Sequence, residues 1–195
     1  MAKIAIVYHS GYGHTKKLAE VIQDGAIKAG ADAELYNADD LASPETGPWD
    51  ELAKADAIVF GAPTYMGSAS AGFKAFADAS SKAWFTGQWK DKLAGGFTTS
   101  GSPSGDKSNT LAQMATLASQ HGMIWVSTGM MPGFGMADSD YDTAINRQGF
   151  FLGVGVQAKN GLPPEQAPDA AELETGRQYG ARIAHAAARW TRGAA

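Results

Sequence analysis

The chain has 195 residues, of which 44% are hydrophobic and 18% are charged, a balance typical of a globular protein with a sizeable core. Its formal net charge of −4 disfavours nucleic-acid binding, which needs a basic surface. The absence of cysteine excludes disulfides and thiolate chemistry, and the four histidines lack the spacing of metal ligands, so we expect no metal. No apolar stretch has the length of a membrane span and no signal-like segment opens the chain, which favours a cytoplasmic protein.

Short apolar runs alternate with helical patterns along the chain. The pattern predicts strands at 3–8, 33–36, 57–60, 93–99 and 123–126, and helices at about 14–29, 49–54, 70–82, 107–120 and within 165–190. Glycine-rich sequence fills residues 129–160. Strands that alternate with helices form a parallel sheet with helices on both faces. Because no repeat or low-complexity linker divides the chain, we predict one doubly wound α/β domain over residues 1–195.

The first predicted strand runs into the loop Ser10-Gly11-Tyr12-Gly13-His14-Thr15 at the start of a helix. A helix N-terminus offers unpaired N–H groups and a partial positive charge, and hydroxyls and glycines suit close contact with an anion. The loop is not a P-loop, and Lys16 replaces the third glycine of the dinucleotide fingerprint. It therefore suits a terminal monophosphate, such as that of flavin mononucleotide (FMN). The alternative is an ordinary turn that is rich in glycine.

Two further loops follow predicted strands. Pro63-Thr64-Tyr65-Met66-Gly67 leaves the third strand, and Thr98-Thr99-Ser100-Gly101-Ser102 leaves the fourth. Ligands of open parallel sheets bind beyond the carboxyl ends of the strands, so we expect all three loops at one rim. Their small and hydroxyl side chains suit the polar edge of a flat ring, although both are also compatible with ordinary strand–helix turns.

These three loops, together with Gln120-His121-Gly122-Met123, carry a family resemblance. The chain resembles the flavodoxin superfamily, and within it the WrbA-like NAD(P)H:quinone oxidoreductases. The motifs span most of residues 3–128. The resemblance implies a flavodoxin-like fold with a five-stranded parallel sheet of order 2-1-3-4-5 and FMN as the cofactor.

The resemblance also implies a role for each motif residue. It implies that the FMN phosphate is bound by Ser10, Gly11, Tyr12, Gly13, His14 and Thr15. It places along the isoalloxazine ring Pro63, Thr64, Tyr65, Met66 and Gly67, and at the ring and ribityl chain Thr99, Ser100, Gly101 and Gly105. His121 is expected at the pyrimidine end of the flavin, as the catalytic residue that donates a hydrogen bond or a proton. Without the resemblance, a histidine that closes the preceding helix is the favoured interpretation.

The chain departs from the WrbA-like pattern in two places. Tyr65-Met66 stands where those proteins carry a basic residue followed by an aromatic one, and residues 129–160 match them poorly. Residues 146–153 are instead similar to FMN-binding flavodoxin-like proteins of looser definition. The cofactor prediction is therefore stronger than the substrate prediction.

The resemblance implies an enzyme that passes hydride from NADH or NADPH through FMN to a quinone, in a two-electron, ping-pong reaction. One alternative is a flavodoxin-type electron carrier, although such carriers are usually more acidic than −4. Another is a regulatory protein without turnover. The aromatic residues Trp84, Phe85 and Trp89 are compatible with core packing, but their place on a loop favours a lid or a subunit contact. The resemblance implies a homodimer or a homotetramer.

Overall fold

The computed structural model describes residues 1–135 and 137–193; Met136 and residues 194–195, which fall within the predicted domain, lie outside the described residues. The strands are β1 (Lys3–Tyr8), β2 (Asp32–Asn37), β3 (Ala57–Tyr65), β4 (Ser68–Ala69), β5 (Leu93–Ser100), β6 (Ile124–Trp125) and β7 (Val154–Gln157). The helices are α1 (His14–Lys28), α2 (Trp49–Lys54), α3 (Ala71–Ala79), α4 (Ser81–Phe85), α5 (Lys107–Gln120) and α6 (Ala170–Gly193), with one 3-10 turn at Ala38–Leu41.

The sheet has the order β2-β1-β3-β5-β6, and every neighbouring pair along it is parallel. The predicted flavodoxin-like order is confirmed, because β4 is only a short antiparallel addition to the end of β3. Apolar runs such as Ala57-Ile58-Val59-Phe60 form the central strands, and these residues are completely buried. Burial on both faces is the reason that the strands are continuously apolar instead of alternating.

The fifth position of the sheet is shared by two separate segments. β6 pairs with Leu93 and Ala94 at the amino end of β5, whereas β7 pairs with residues 97–100 at its carboxyl end. The predicted fifth strand at 123–126 is therefore only the first half of this position. Residues 126–153 lie between the two halves, so the loop at the carboxyl rim of the sheet follows β7 and not β6.

Two helix layers cover the sheet. On one face, α1 and α6 pack so closely that a Cβ at Gly180 would lie 1.9 Å from the Ile22 carbonyl oxygen. On the other face lie α3 and α5, with an apolar cluster that includes Phe73, Phe76, Leu111 and Met114. The predicted helix at 70–82 is two helices that meet at Ser80. No helix among residues 1–135 and 137–193 is long and apolar enough to cross a membrane.

The predicted aromatic cluster divides between core and surface. Trp89 is fully buried and stacks on Phe76 and Trp49, with ring centroids 6.2 and 6.3 Å away. Trp84 and Phe85 are exposed on α4. The expectation of a lid or subunit contact is therefore wrong for Trp89, which belongs to the core because α3 and α2 close over it.

Candidate functional site

A cavity of about 920 Å³ lies beyond the carboxyl ends of β1, β3, β5 and β7. This size is within the range of small-molecule sites, roughly 300–1,000 Å³. Three predicted loops supply lining residues Ser10, Tyr12, His14, Thr15, Pro63, Thr64, Tyr65, Met66, Thr99, Ser100 and Gly101. A fourth loop, which the sequence did not predict, supplies Ala158, Asn160, Gly161, Leu162, Pro163 and Pro164.

The loop after β1 ends in the amino end of α1. Gly13 adopts the left-handed conformation, with φ at 87°, and turns the chain directly into His14, the first residue of the helix. The first N–H groups of a helix have no partner within it. Here the Lys16 N–H donates to the Ser10 hydroxyl oxygen at 3.2 Å, while the Thr15 hydroxyl pairs with that of Thr99 at 2.8 Å. The arrangement presents backbone donors and a partial positive charge at the cavity.

Glycines lie where one loop crosses another. A Cβ at Gly11 would lie 2.5 Å from the Tyr65 hydroxyl, and one at Gly13 would lie 2.9 Å from the Pro164 Cγ. At Gly101 a Cβ would lie 2.1 Å from the Asn160 Oδ1. Gly11 and Gly13 do not line the cavity. Because they lack side chains, Tyr65 and Pro164 of the neighbouring loops can approach the loop after β1 closely.

The loop after β3 is a tight hairpin that returns as β4. Met66 and Gly67 are its two central residues, and both have positive φ, 48° and 81°, as a type I′ turn requires. The turn leaves the Met66 side chain fully exposed at the rim, while Gly67 stays outside the lining. Tyr65 meets Tyr12 edge to face, with ring centroids 6.1 Å apart. Burial raises the pKa of Tyr65, so its phenol stays neutral.

Buried threonines connect the carboxyl ends of the strands to the helices on both faces. The Thr64 hydroxyl donates to Thr110 on α5 and pairs with Thr98 on β5, each at 2.8 Å. Thr98 and Thr110 are fully buried. Such satisfied hydroxyls hold the strand ends in place without leaving a buried polar group unpaired.

His14 connects the fourth loop to the loop after β1, which is predicted to bind a phosphate. Its Nε2 lies 2.9 Å from the Leu162 carbonyl oxygen, which only accepts, so Nε2 carries the proton. The sequence signal for this loop is Asn160-Gly161-Leu162-Pro163-Pro164, a dense run of turn residues directly after Val154-Gly155-Val156-Gln157. It was missed because the fifth strand was assigned only to 123–126.

Gly105 does not line the cavity. Its φ is 53°, and a Cβ there would lie 2.2 Å from the Ser100 Oγ. Gly105 thus folds the loop after β5 back against Ser100, and the structure does not bring it together with the other residues predicted to contact a cofactor.

His121 lies at the opposite end of the sheet, between α5 and β6. Its N–H donates to the Leu117 carbonyl, its ring centroid is 4.2 Å from that of Trp89, and its Nε2 lies 2.9 Å from the Ser80 hydroxyl oxygen. Burial lowers the pKa of His121 to about 4, so the ring is neutral at pH 7. His121 does not line the cavity, so the structure separates it from the other predicted site residues instead of bringing it to the expected flavin contact. The helix-closing interpretation describes its position.

Residues 146–153 lie behind the site. The Arg147 side chain donates to Glu172 at 3.0 Å, to Asp169, and to the Tyr141 carbonyl at 3.1 Å. These bonds attach the segment between β6 and β7 to the start of α6. Within this segment the centroid of the Phe150 ring lies 5.5 Å from the Lys107 Nζ on α5.

Comparison with known proteins identifies the family to which this chain belongs. The profile of the NADPH-dependent FMN reductase family matches residues 2–134. The chain belongs to this family. It is 47% identical to flavodoxin FldP of Pseudomonas aeruginosa, over 94% of this chain and 96% of that protein. It is 31% identical to an NAD(P)H dehydrogenase (quinone) of Archaeoglobus fulgidus, over 96% of this chain and 98% of that protein.

A solved structure agrees. The flavodoxin, WrbA-like protein from Agrobacterium tumefaciens superposes with a TM-score of 0.73 and 40% sequence identity, covering 97% of this chain and 99% of that one. The predicted resemblance to flavodoxin-like, WrbA-type proteins is thereby confirmed. At the level of the FMN reductase family, so are the two predicted cofactors, FMN and a nicotinamide.

Proposed function

We propose that this member of the FMN reductase family binds FMN in the cavity and transfers hydride from NAD(P)H to a quinone. The cavity itself carries the proposal, because a helix N-terminus with hydroxyls stands at one end of it and apolar walls stand beside it. FMN has the same two parts, a dianionic phosphate and a flat ring.

The phosphate end fits a terminal monophosphate. We assign phosphate contacts to Ser10, Tyr12, His14 and Thr15, with Gly11 and Gly13 allowing the close turn. No lysine or arginine is among the described lining residues, so the α1 N-terminus would supply the compensating positive potential.

The ring end is bounded by two walls. We assign ring contacts to Pro63, Thr64, Tyr65 and Met66 on one side, and ribityl and ring contacts to Thr99, Ser100 and Gly101 on the other. When bound, FMN supplies the hydride chemistry. The chain's part is to hold and orient: neither a carboxylate nor a lysine is among the described residues that line the cavity.

The rim explains access for flat substrates. Tyr12 and Met66 are exposed beside the cavity mouth, and Tyr65 is at its edge. Exposed aromatic and thioether groups give nicotinamide and quinone rings an apolar surface to stack on in turn. This alternation of two flat substrates at one surface corresponds to the expected ping-pong reaction.

A second candidate function is a flavodoxin-type electron carrier. It is favoured by the 47% identity to a protein named flavodoxin, FldP of Pseudomonas aeruginosa. A carrier would bind FMN in the same cavity and depend on a protein partner for its electrons.

Steady-state assays of the FMN-loaded protein separate the two candidates. We expect NADH or NADPH oxidation to accelerate when benzoquinone is added, and a comparison of the two nucleotides identifies the donor. FMN binding without quinone-dependent oxidation would favour the carrier. Failure to bind FMN would contradict both.

We also propose a homodimer or homotetramer, located in the cytoplasm. The exposed Trp84 and Phe85 on α4 support an assembly, because large exposed aromatic groups are typical of subunit contacts. Light scattering should give a mass that is two or four times the 20.3 kDa of the chain, and a monomer would contradict this.

A further inference from the structure

Lys107, the first residue of α5, is completely buried, which is rare for lysine. Its ammonium donates to the Ser100 Oγ at 2.8 Å, to the Ser102 carbonyl at 2.9 Å and to the Pro103 carbonyl at 2.8 Å. These three bonds use all three N–H groups of the ammonium. The Phe150 ring covers it, with the ring centroid 5.5 Å from Nζ.

Among residues 1–135 and 137–193, no carboxylate forms an ion pair with the Lys107 ammonium. Burial lowers its pKa to about 8, and the charge of Glu172 acts in the opposite direction, so most of the ammonium is protonated at pH 7. A buried, unpaired charge is unfavourable for folding alone, so its presence here calls for a function.

All three acceptors belong to residues 100–105, which comprise Ser100 at the end of β5 and the loop that follows it. Ser100 and its neighbour Gly101 line the cavity. From the side of β7, the Ala158 N–H donates to the Ser100 carbonyl and the Gln157 side chain to the Gly101 carbonyl, each at 2.9 Å. Residues 100–105 are thus held by the Lys107 ammonium on one side and by hydrogen bonds from Gln157 and Ala158 on the other.

Building on the proposed function, we propose that Lys107 is a positioning residue for FMN. Its ammonium fixes the loop of residues 100–105 in the conformation that lines the cavity, and its positive charge favours a dianionic ligand there. The charge is effective because buried charges are screened less by salt and water than exposed ones.

Lys92 provides a matched control at the other end of β5. Its ammonium also donates to backbone carbonyls, those of Ala53 at 2.7 Å and Ala55 at 2.5 Å, and burial lowers its pKa as well. It directly precedes β5, away from the cavity. A methionine at either position removes one lysine charge and its bonds to backbone oxygens, but only Lys107 contacts the cavity loop.

The test compares wild type with K107M, K107R and K92M. Fluorescence titration measures the dissociation constants of FMN and of riboflavin, which lacks the phosphate, and hydrogen exchange of the apoproteins measures protection of residues 100–106. K107M should weaken FMN binding about tenfold, weaken riboflavin less, and speed exchange in this loop. K92M should leave both dissociation constants and the exchange of residues 100–106 at wild-type values. K107R should retain the preference for FMN over riboflavin.

Two results would overturn the inference. One is an FMN dissociation constant for K107M equal to that of K92M; the other is loss of the FMN preference in K107R, which decides the matter if K107M does not fold. If wild type binds neither flavin, the proposed function fails instead. In that case hydrogen exchange of the apoproteins tests whether Lys107 holds the loop. Equal exchange rates of residues 100–106 in K107M and K92M would refute this role.

Discussion

The two ends of β5 carry similar residues in different surroundings. At its amino end, Lys92 and His121 lie beside a packed aromatic core that includes Trp89. At its carboxyl end, Lys107 and His14 hold loops around a cavity. Because parallel strands bring all their carboxyl ends to one edge, position along the strand decides whether a lysine or histidine closes the core or shapes a site.

The largest expected difference between the two ends of the sheet concerns two glycines with left-handed backbone, Gly13 with φ 87° and Gly122 with φ 70°. Valine at either position costs about 1–2 kcal/mol of unfolding free energy from backbone strain. Only G13V also pushes against Pro164, which a Cβ would approach to 2.9 Å. We expect FMN binding to weaken about 100-fold in G13V, equivalent to about 2.8 kcal/mol.

G122V is the control for this prediction. The atom nearest to a Cβ at Gly122 would be the Lys90 Cγ, at 3.4 Å, an ordinary contact at the amino end of the sheet and away from the cavity. Its FMN dissociation constant should match wild type in a fluorescence titration. If the two variants lose FMN affinity equally, the affinity depends on the overall stability of the fold and not on the loops at the carboxyl ends of the strands.

The second prediction concerns pH and the amino end. Protonation of buried His121 is unfavourable in the folded state, where its pKa is about 4, but not in the unfolded state, where it is about 6.5. In this window the unfolded chain binds more protons, so stability falls as pH falls from 6.5 towards 4. The loss attributable to His121 should be about 2 kcal/mol between pH 7 and pH 5.

Urea unfolding of wild type and H121Q at both pH values measures this contribution. The variant should lose less stability on acidification than wild type, and its FMN affinity at pH 7 should be unchanged. An identical pH dependence in the two proteins would refute the assignment. A large fall in FMN affinity would return His121 to the site.

The smallest predicted effect concerns His14, whose Nε2–H donates to the Leu162 carbonyl. H14A should weaken FMN binding about fivefold, since one hydrogen bond that positions the fourth loop is worth about 1 kcal/mol. H14Q retains an N–H donor and should weaken binding less. If both variants bind FMN as wild type does, the fourth loop is not part of the binding site.

Sequence patterns were sufficient to predict the sheet order and three of the four cavity loops, but only half of the fifth sheet position. Continuous apolar runs mark buried parallel strands, and hydroxyl- and glycine-rich turns directly after them mark the carboxyl rim. The fourth loop at 158–164 was not predicted, because its strand β7 has only four residues and follows a long segment without periodicity. Such a short strand is defined by its pairing with β5, which sequence alone does not show.

His121 and Lys107 show the same limit for side chains. The histidine was placed by family resemblance, but strand direction puts it at the amino end of the sheet. The lysine looks like an ordinary solvent-exposed residue at a helix start, and only the fold of residues 100–105 around it makes it internal. Both depend on contacts between segments distant in sequence.

Hydrogen exchange with and without FMN shows directly whether the cofactor binds at the carboxyl ends of the strands. We expect FMN-dependent protection in residues 10–15, 63–67, 99–105 and 158–164, with unchanged exchange in residues 119–125 around His121. Protection confined to residues 119–125, with none in the four loops, would contradict this expectation.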